Sequence, residues 1–209
     1  MIKIATSILS LTPSERITSI KKLNKTTTDY IHIDVMDNKF VPNYQLPVEE
    51  VNMLSKYATK PFDIHLMVED PESFINALMF NNIDAITVHL EIKKSIHKLI
   101  KLIKSHGYKV GLAIKPKTKL SLLKEYINDI DKIIVMSVEP GYGGQTFIET
   151  TPNRINEIKS LRNDITIEVD GGINNTTIKN LKNNTDIAVV GTYITNNENY
   201  QKAINNLKK

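Results

Sequence analysis

The sequence predicts an α/β fold: one (β/α)₈ TIM barrel, a single domain spanning residues 1–209. Three observations predict it. Short β-rich runs alternate with segments of helical period along the whole chain, which implies parallel strands joined by right-handed crossovers. The alternation repeats eight times, with no linker-like or low-complexity stretch to mark a domain boundary. Polar residues stand at the C-terminal ends of strands throughout, at Ser7, Asp34, His65, His89, Lys115, Ser137, Asp170 and Thr192. A barrel gathers its active site on that face, whereas an open doubly wound sheet would collect polar groups at one switch point. At 209 residues the chain is lean for a barrel, against ~250 for a typical one.

The strand expectations, in order, cover residues 3–9, 30–35, 62–68, 85–89, 109–114, 132–138, 166–170 and 187–191. Each is a short run rich in β-branched or aromatic residues. Helical spacing marks 13–23, 71–80, 95–105 and 151–161 among about eight helices. Thr12-Pro13, Asp70-Pro71 and Thr151-Pro152 place proline at or near the first helical position, where its missing N–H has no partner to lose.

Composition narrows the function classes. The chain is 41% hydrophobic and 24% charged, enough for a substantial core. It has no cysteine, which excludes disulfide scaffolds, thiolate zinc sites and cysteine nucleophiles. No signal peptide and no membrane-spanning run is legible, so the expected location is cytoplasmic. The net charge is +4 and the pI ≈ 9.0, but the lysines are dispersed rather than massed. The densest basic stretch, IKKSIHKLIKLIKSH at 92–106, carries Ile92, Ile96, Leu99, Ile100 and Ile103 at helical spacing. It reads as an outer helix with a solvated lysine face, rather than as a membrane-surface helix. A nucleic-acid module would need a concentrated basic face with interleaved aromatics, and aromatics are only 6% with no Trp.

The stretch HIDVMDNKFVPN, 32–43, is strand-like, yet its period of two puts His32, Asp34 and Met36 on one face. His32 and Asp34 on strand two, His65 on strand three and Asp170 on strand seven would meet across a barrel's mouth. Two imidazoles and two carboxylates form a donor set for zinc, manganese, iron or cobalt. Inward carboxylates are costly unless paired or metal-bound, which disfavours a set of unrelated core polars.

Glycine clusters at the last three strand ends: Gly141-Tyr142-Gly143-Gly144, Gly171-Gly172 and Gly191-Thr192. Glycine lets backbone N–H groups converge on an anion, and the loops after strands seven and eight are the usual phosphate site of such barrels. Gly171-Gly172-Ile173-Asn174-Asn175 is expected to lead directly into a helix, whose N-terminus would favour the anion. Met36, Met67 and Met136, each near a strand end, are candidate pocket walls, with core filling as the alternative. Glu168 shares the inward face with Asp170, with Lys3 as a candidate partner; His89 and Glu91 are assigned a supporting place near the site.

These residues also carry a resemblance. HIDVMDNKFVPN, DIHLMV at 63–68, ITVHLE at 86–91, MSVEPGYGGQ at 136–145 and EVDGG at 168–172 stand in the order found in the ribulose-phosphate 3-epimerase family, which the chain resembles almost end to end. The resemblance implies epimerisation at C3 of a ketopentose phosphate, interconverting D-ribulose 5-phosphate and D-xylulose 5-phosphate in the pentose phosphate pathway. It implies His32, Asp34, His65 and Asp170 as ligands of one divalent ion per subunit, with Asp34 and Asp170 also the acid–base pair. Ser7, His65, Tyr142, Asp170 and Gly171 would contact substrate, while Gly141, Gly143, Gly144, Gly172, Gly191 and Thr192 hold its phosphate. Family members are often symmetric assemblies, which implies a homo-oligomer.

The sequence departs from the family pattern twice: Asn38 replaces the usual glycine after Asp37, and Gly191-Thr192 replaces glycine-serine. Asparagine tolerates a left-handed backbone, and threonine keeps a hydroxyl. Two opposed carboxylates suit inversion, since a single base would return the proton to the face it left; the metal would stabilise the enediolate. The competing readings are an allulose-6-phosphate 3-epimerase on the same scaffold and a catalytically silent phosphosugar-binding barrel. Lyase chemistry of the Asp-x-Lys-x-x-Asp kind finds no lysine in Asp34-Val35-Met36.

Overall fold

The computed structural model describes residues 1–181 and 183–209. Eight parallel strands close into a barrel: β1 (Lys3–Ser7), β2 (Tyr30–Asp37), β3 (Phe62–Met67), β4 (Ile83–His89), β5 (Lys109–Ile114), β6 (Lys132–Met136), β7 (Thr166–Asp170) and β8 (Ile187–Val190). β1 pairs with both β8 and β2, so the sheet has no free edge there. A two-residue antiparallel strand, Tyr44–Gln45, is appended to the end of β2.

The helices ring the outside: α1 (Pro13–Leu23), α2 (Val48–Ser55), α3 (Pro71–Asn76), α4 (Ile96–Ser105), α5 (Thr151–Leu161), α6 (Thr192–Thr195) and α7 (Tyr200–Leu207). α1 opens with Pro13, and Thr12 N donates to Glu15 Oε2 at 2.9 Å, which ties down the first turn. α4 buries Ile96, Leu99, Ile100 and Ile103 and turns its lysines outward, as an outer helix should. No helix among the described residues is long and apolar enough to cross a membrane.

Three expectations need correcting. The β5–β6 and β7–β8 crossovers carry 3₁₀ turns, Leu120–Glu125 and Thr177–Leu181, instead of α-helices. The second lies in an Asn- and Thr-rich stretch, INNTTIKNL, whose side chains compete for backbone hydrogen bonds and favour turns. The helix expected directly after Gly171-Gly172 is therefore a turn that begins at Thr177. α3 ends at Asn76 rather than at residue 80, because Asn52 on α2 takes over the next groups. Asn52 Nδ2 donates to the Ala77 carbonyl and Met79 N donates to Asn52 Oδ1, both at 2.9 Å.

The packing falls into two regions with different chemistry. Between barrel and helices lies a continuous apolar layer that includes Ile4, Ile20, Ile31, Leu54, Ile64, Ile86, Leu112, Ile133 and Ile167, all fully buried. Each such side chain contributes about 1.5–3 kcal/mol by leaving water. Inside the barrel the apolar groups form only small clusters, such as Ala113, Ile134, Met136 and Val138. The rest of the interior is polar: His32, Asp34, Asp63, His65, Thr87, Lys132 and Glu168 are all buried. Stability thus rests on the outer layer, and the interior is given to chemistry.

The turn after β2 is built from the last residues of the stretch HIDVMDNKFVPN. Asp37 accepts from Lys39 N and Phe40 N through Oδ1 and from Glu69 N through Oδ2, so it caps the loop and stays out of the mouth. Asn38 follows with φ 58°, a left-handed backbone. Asn38→Gly should therefore fold with unchanged or slightly higher stability, while Asn38→Val should lose about 1–2 kcal/mol. Urea unfolding midpoints of the two variants against the parent check this.

Candidate active site

β2 and β3 lie side by side with His32 opposite Asp63 and Asp34 opposite His65. HID and DIH are thus the same pair of residue types in inverse order. One row, Asp34 and His65, faces the mouth, and the row beneath, His32 and Asp63, sits one step deeper. His32 reaches upward: its Nε2 lies 3.4 Å from Asp34 Oδ1 and 3.8 Å from Asp170 Oδ2. His65 Nδ1 lies 3.4 Å from Asp34 Oδ1 and 3.5 Å from Asp170 Oδ2. One donor atom from each of His32, Asp34, His65 and Asp170 falls within 4.8 Å of all the others. The structure thus brings together the four residues expected from the sequence.

The donor atoms also pass a test of fit. His32 Nε2 and His65 Nδ1 are both buried without a hydrogen-bond partner. Orphaned buried polar atoms are costly, and here both aim at the same point as two carboxylates. Mixed imidazole and carboxylate donors suit a divalent transition ion.

Each imidazole is held from behind. His32 Nδ1 lies 2.8 Å from Asp63 Oδ2, which can only accept, so Nδ1 carries a hydrogen and Nε2 is the nitrogen left for an ion. His65 Nε2 lies 2.9 Å from His89 Nε2, and His89 Nδ1 lies 2.9 Å from Glu91 Oε2. Starting from the carboxylate, His89 Nδ1–H donates to Glu91, His65 Nε2–H donates to His89, and His65 Nδ1 is the nitrogen left for an ion. Glu91 is pinned in turn by Lys115 N at 2.8 Å and by the Thr118 hydroxyl. His89 and Glu91 therefore do support the site, by fixing the tautomer of His65. Burial pushes the His89 pKa down to about 4, which keeps it a neutral link.

The sequence reading missed Asp63 and Lys132 and misassigned Lys3. Lys3 is exposed at the far end of β1 and its ammonium donates to Tyr30 Oη at 3.2 Å. The partner of Glu168 is Lys132, whose Nζ donates to both Glu168 and Asp63. The signal was present: Lys132 has the inward parity of Met136, and Asp63 that of His65.

Above the four donors opens a pocket of about 340 Å³. Asp34 and Asp170 form part of its lining, together with Met36, Met67 and Met136, so the three methionines wall the cavity. Ser7 also lines it, and its hydroxyl donates to Asp34 Oδ2 at 2.7 Å. His65 lies behind the carboxylates and forms no part of the pocket lining. Gly141, Tyr142, Gly143, Gly144, Gly171, Gly172, Gly191 and Thr192 complete the lining. Gly172 has φ 61°, and a Cβ there would come within 2.5 Å of Phe147 N and 2.8 Å of the Gln145 carbonyl oxygen. No other residue fits. The loop carrying Gly141 is braced across the mouth, since Tyr142 Oη donates to the Pro42 carbonyl and Asn43 Nδ2 to the Gly141 carbonyl.

The electrostatics of Asp34, His32 and His65 are those of groups that exchange protons for an ion. Burial raises the Asp34 carboxyl, but the neighbouring His32 and His65 outweigh it and hold its pKa below the usual carboxylate range. Burial opposes protonation of His32 as well, yet Asp34, Asp63 and Glu168 outweigh it and raise its pKa well above the ordinary value. For His65, Asp170 and Asp34 overcome burial in the same direction. Both imidazoles are thus protonated below their raised pKa values, and an ion must displace those protons. Zinc binding should release at least one proton near pH 7, and affinity should rise about tenfold per pH unit for each proton released. Calorimetry in buffers of different ionisation enthalpy counts the protons.

Residues 3–195 match the model of the Ribulose-phosphate 3 epimerase family. The chain is 35% identical over 214 residues to ribulose-phosphate 3-epimerase of Bacillus subtilis (strain 168), covering 100% of this chain and 99% of that one. It is 36% identical over 214 residues to the enzyme of the same name from Methanocaldococcus jannaschii, covering 100% and 91%. Among solved structures, 3-hexulose-6-phosphate synthase from Salmonella typhimurium superposes with a TM-score of 0.73 at 17% identity, covering 99% of this chain and 96% of that one. That likeness is one of fold.

Proposed function

We propose that this chain, which belongs to the ribulose-phosphate 3-epimerase family, interconverts D-ribulose 5-phosphate and D-xylulose 5-phosphate by passing the C3 proton between two aspartates. The observation that carries this reading is the meeting of Asp34 and Asp170 with His32 Nε2 and His65 Nδ1 on the floor of one pocket. Residues 1–209 act as one epimerase domain.

Inverting C3 means removing its proton from one face and returning one to the other. Asp34 from β2 and Asp170 from β7 approach the floor from distant strands and flank the carbon. One takes a proton while the other gives one, and the bound epimer decides which acts first. Ser7 holds Asp34 Oδ2 through its hydroxyl and faces the substrate. The unequal exposure of the pair, 4% for the Asp34 side chain and 15% for that of Asp170, gives Asp170 the easier exchange with water.

His32, Asp34, His65 and Asp170 would hold one divalent ion per subunit, and that ion would supply Lewis-acid stabilisation of negative charge on the substrate. Zinc, iron, manganese and cobalt all suit this donor set. Met36, Met67 and Met136 keep water from the reacting carbon. Gly141, Gly143, Gly144, Gly172, Gly191 and Thr192 hold the phosphate through backbone N–H groups, and the short helix α6 opens at Thr192 on that side. Gripping the phosphate fixes the distance to C3 and so keeps the carbon between the two carboxylates. The protein works in the cytoplasm as an assembly of identical subunits.

Turnover of metal-loaded protein on ribulose 5-phosphate in deuterated water, followed by NMR, tests the reading. Xylulose 5-phosphate should appear with deuterium at C3, and a chelator should abolish it. Asp34→Asn and Asp170→Asn should each lower kcat by about 10²–10⁴ with little change in KM. Gly172→Ala should instead raise KM, because its damage lies at the phosphate. No exchange at C3 on this substrate sinks the assignment, and allulose 6-phosphate run in parallel separates the hexose reading.

A further inference from the structure

Beneath the site the mechanism leaves three buried charged residues unused, Asp63, Lys132 and Glu168. Asp63 is 1% exposed and Lys132 is 3% exposed, one layer below the four donors. Asp63 Oδ2 receives His32 Nδ1 at 2.8 Å, and Asp63 Oδ1 receives the Lys132 ammonium. Lys132 also donates to Glu168 Oε2, while Glu168 Oε1 stands 3.4 Å from His32 Nδ1 and has no hydrogen-bond partner. His32, Asp63 and Glu168 converge closely enough to resemble a second ion site. The ammonium of Lys132 already occupies that role, because it bonds both carboxylates.

We propose that Asp63 and Lys132 form a positioning pair for the ion centre, in which Asp63 fixes the ring and tautomer of His32 and Lys132 fixes Asp63. The inference rests on reading His32, Asp34, His65 and Asp170 as the ion's ligands. Three features carry it. Asp63 holds His32 at Nδ1, away from Nε2, the atom that points at Asp34 and Asp170. An acceptor at Nδ1 is what distinguishes the two ring nitrogens, and partners of this kind hold ligating histidines in place. Stability alone gives no reason to bury the charges, since apolar residues commonly replace such triads without loss. Without Lys132, Asp63 and Glu168 would face each other as bare carboxylates, and Asp63 would turn away from His32.

Cobalt binding to purified, metal-free protein tests the pair, read by the visible Co(II) absorption bands and by competition with a chelator. Asp63→Asn and Lys132→Met should each weaken cobalt binding about 10–100-fold and change the position or intensity of the bands. Urea unfolding of the metal-free variants runs beside this, because a merely structural role would lower stability and leave the bands unmoved. The chain has no cysteine, so Lys132→Cys can be aminoethylated at that position alone in denaturant and refolded. Rebuilding the ammonium should restore the parent affinity and spectrum. If Lys132→Met fails to fold, the near-isosteric Asp63→Asn decides. Wild-type affinity and spectrum in the folded variants overturn the pair. A parent protein that binds no cobalt overturns the ion site itself, a separate failure.

Discussion

Carboxylates inside a dry barrel must find cations, and the rest of this structure is arranged around that need. Asp34, Asp63, Glu168 and Asp170 all project into the interior from β2, β3 and β7. The lower pair, Asp63 and Glu168, meets the ammonium of Lys132. The upper pair, Asp34 and Asp170, meets two imidazoles whose free nitrogens point at the same space. Lone carboxylates there would shift their pKa values and neutralise. Proton exchange at one carbon needs ionised oxygen close by, and the cations make that state affordable.

The barrel can carry so polar an interior because its stability comes from elsewhere. The apolar layer between strands and helices runs around the whole circumference, with Ile and Leu dominant. The short connections cost little of it: even the two 3₁₀ crossovers bury Leu123, Ile178 and Leu181 against the strands. The outer layer thus holds the strand ends rigid, and the loops above them are free to be glycine-rich. Those loops are also tied to each other, through Tyr142 and Pro42 and through Asn43 and Gly141, so the pocket rim is a braced ring.

His32 and His65 illustrate two ways of holding an imidazole. His65 leans on a neutral relay, His89, before charge appears at Glu91. His32 leans directly on a carboxylate that is itself fixed by an ammonium. The same tautomeric outcome follows from both, but the second keeps charge close beneath the four donors. Direct carboxylate contact raises the basicity of an imidazole more than a neutral partner does, so the two nitrogen donors are unequal by construction.

Much of this was legible in the sequence because strand parity is local information. A period of two puts His32 with Asp34, His65 with Met67 and Glu168 with Asp170 on inward faces, and eight alternating units close the barrel. The left-handed turn at Asn38 was equally local, since it depends on one residue's own backbone. Asp63 and Lys132 share the inward parity, but parity says nothing about depth. Only the register of β2 against β3 puts Asp63 beside His32, and only closure of the barrel brings Lys132 across to it from β6. Lys3 failed as the partner of Glu168 for the same reason: it stands at the outer end of its strand. The sequence by itself determined the alternation, the inward faces and the residue types that can bind an ion and move a proton. The tertiary structure decided which of those residues touch, because contacts between residues far apart in the chain are set by strand register and barrel closure rather than by spacing.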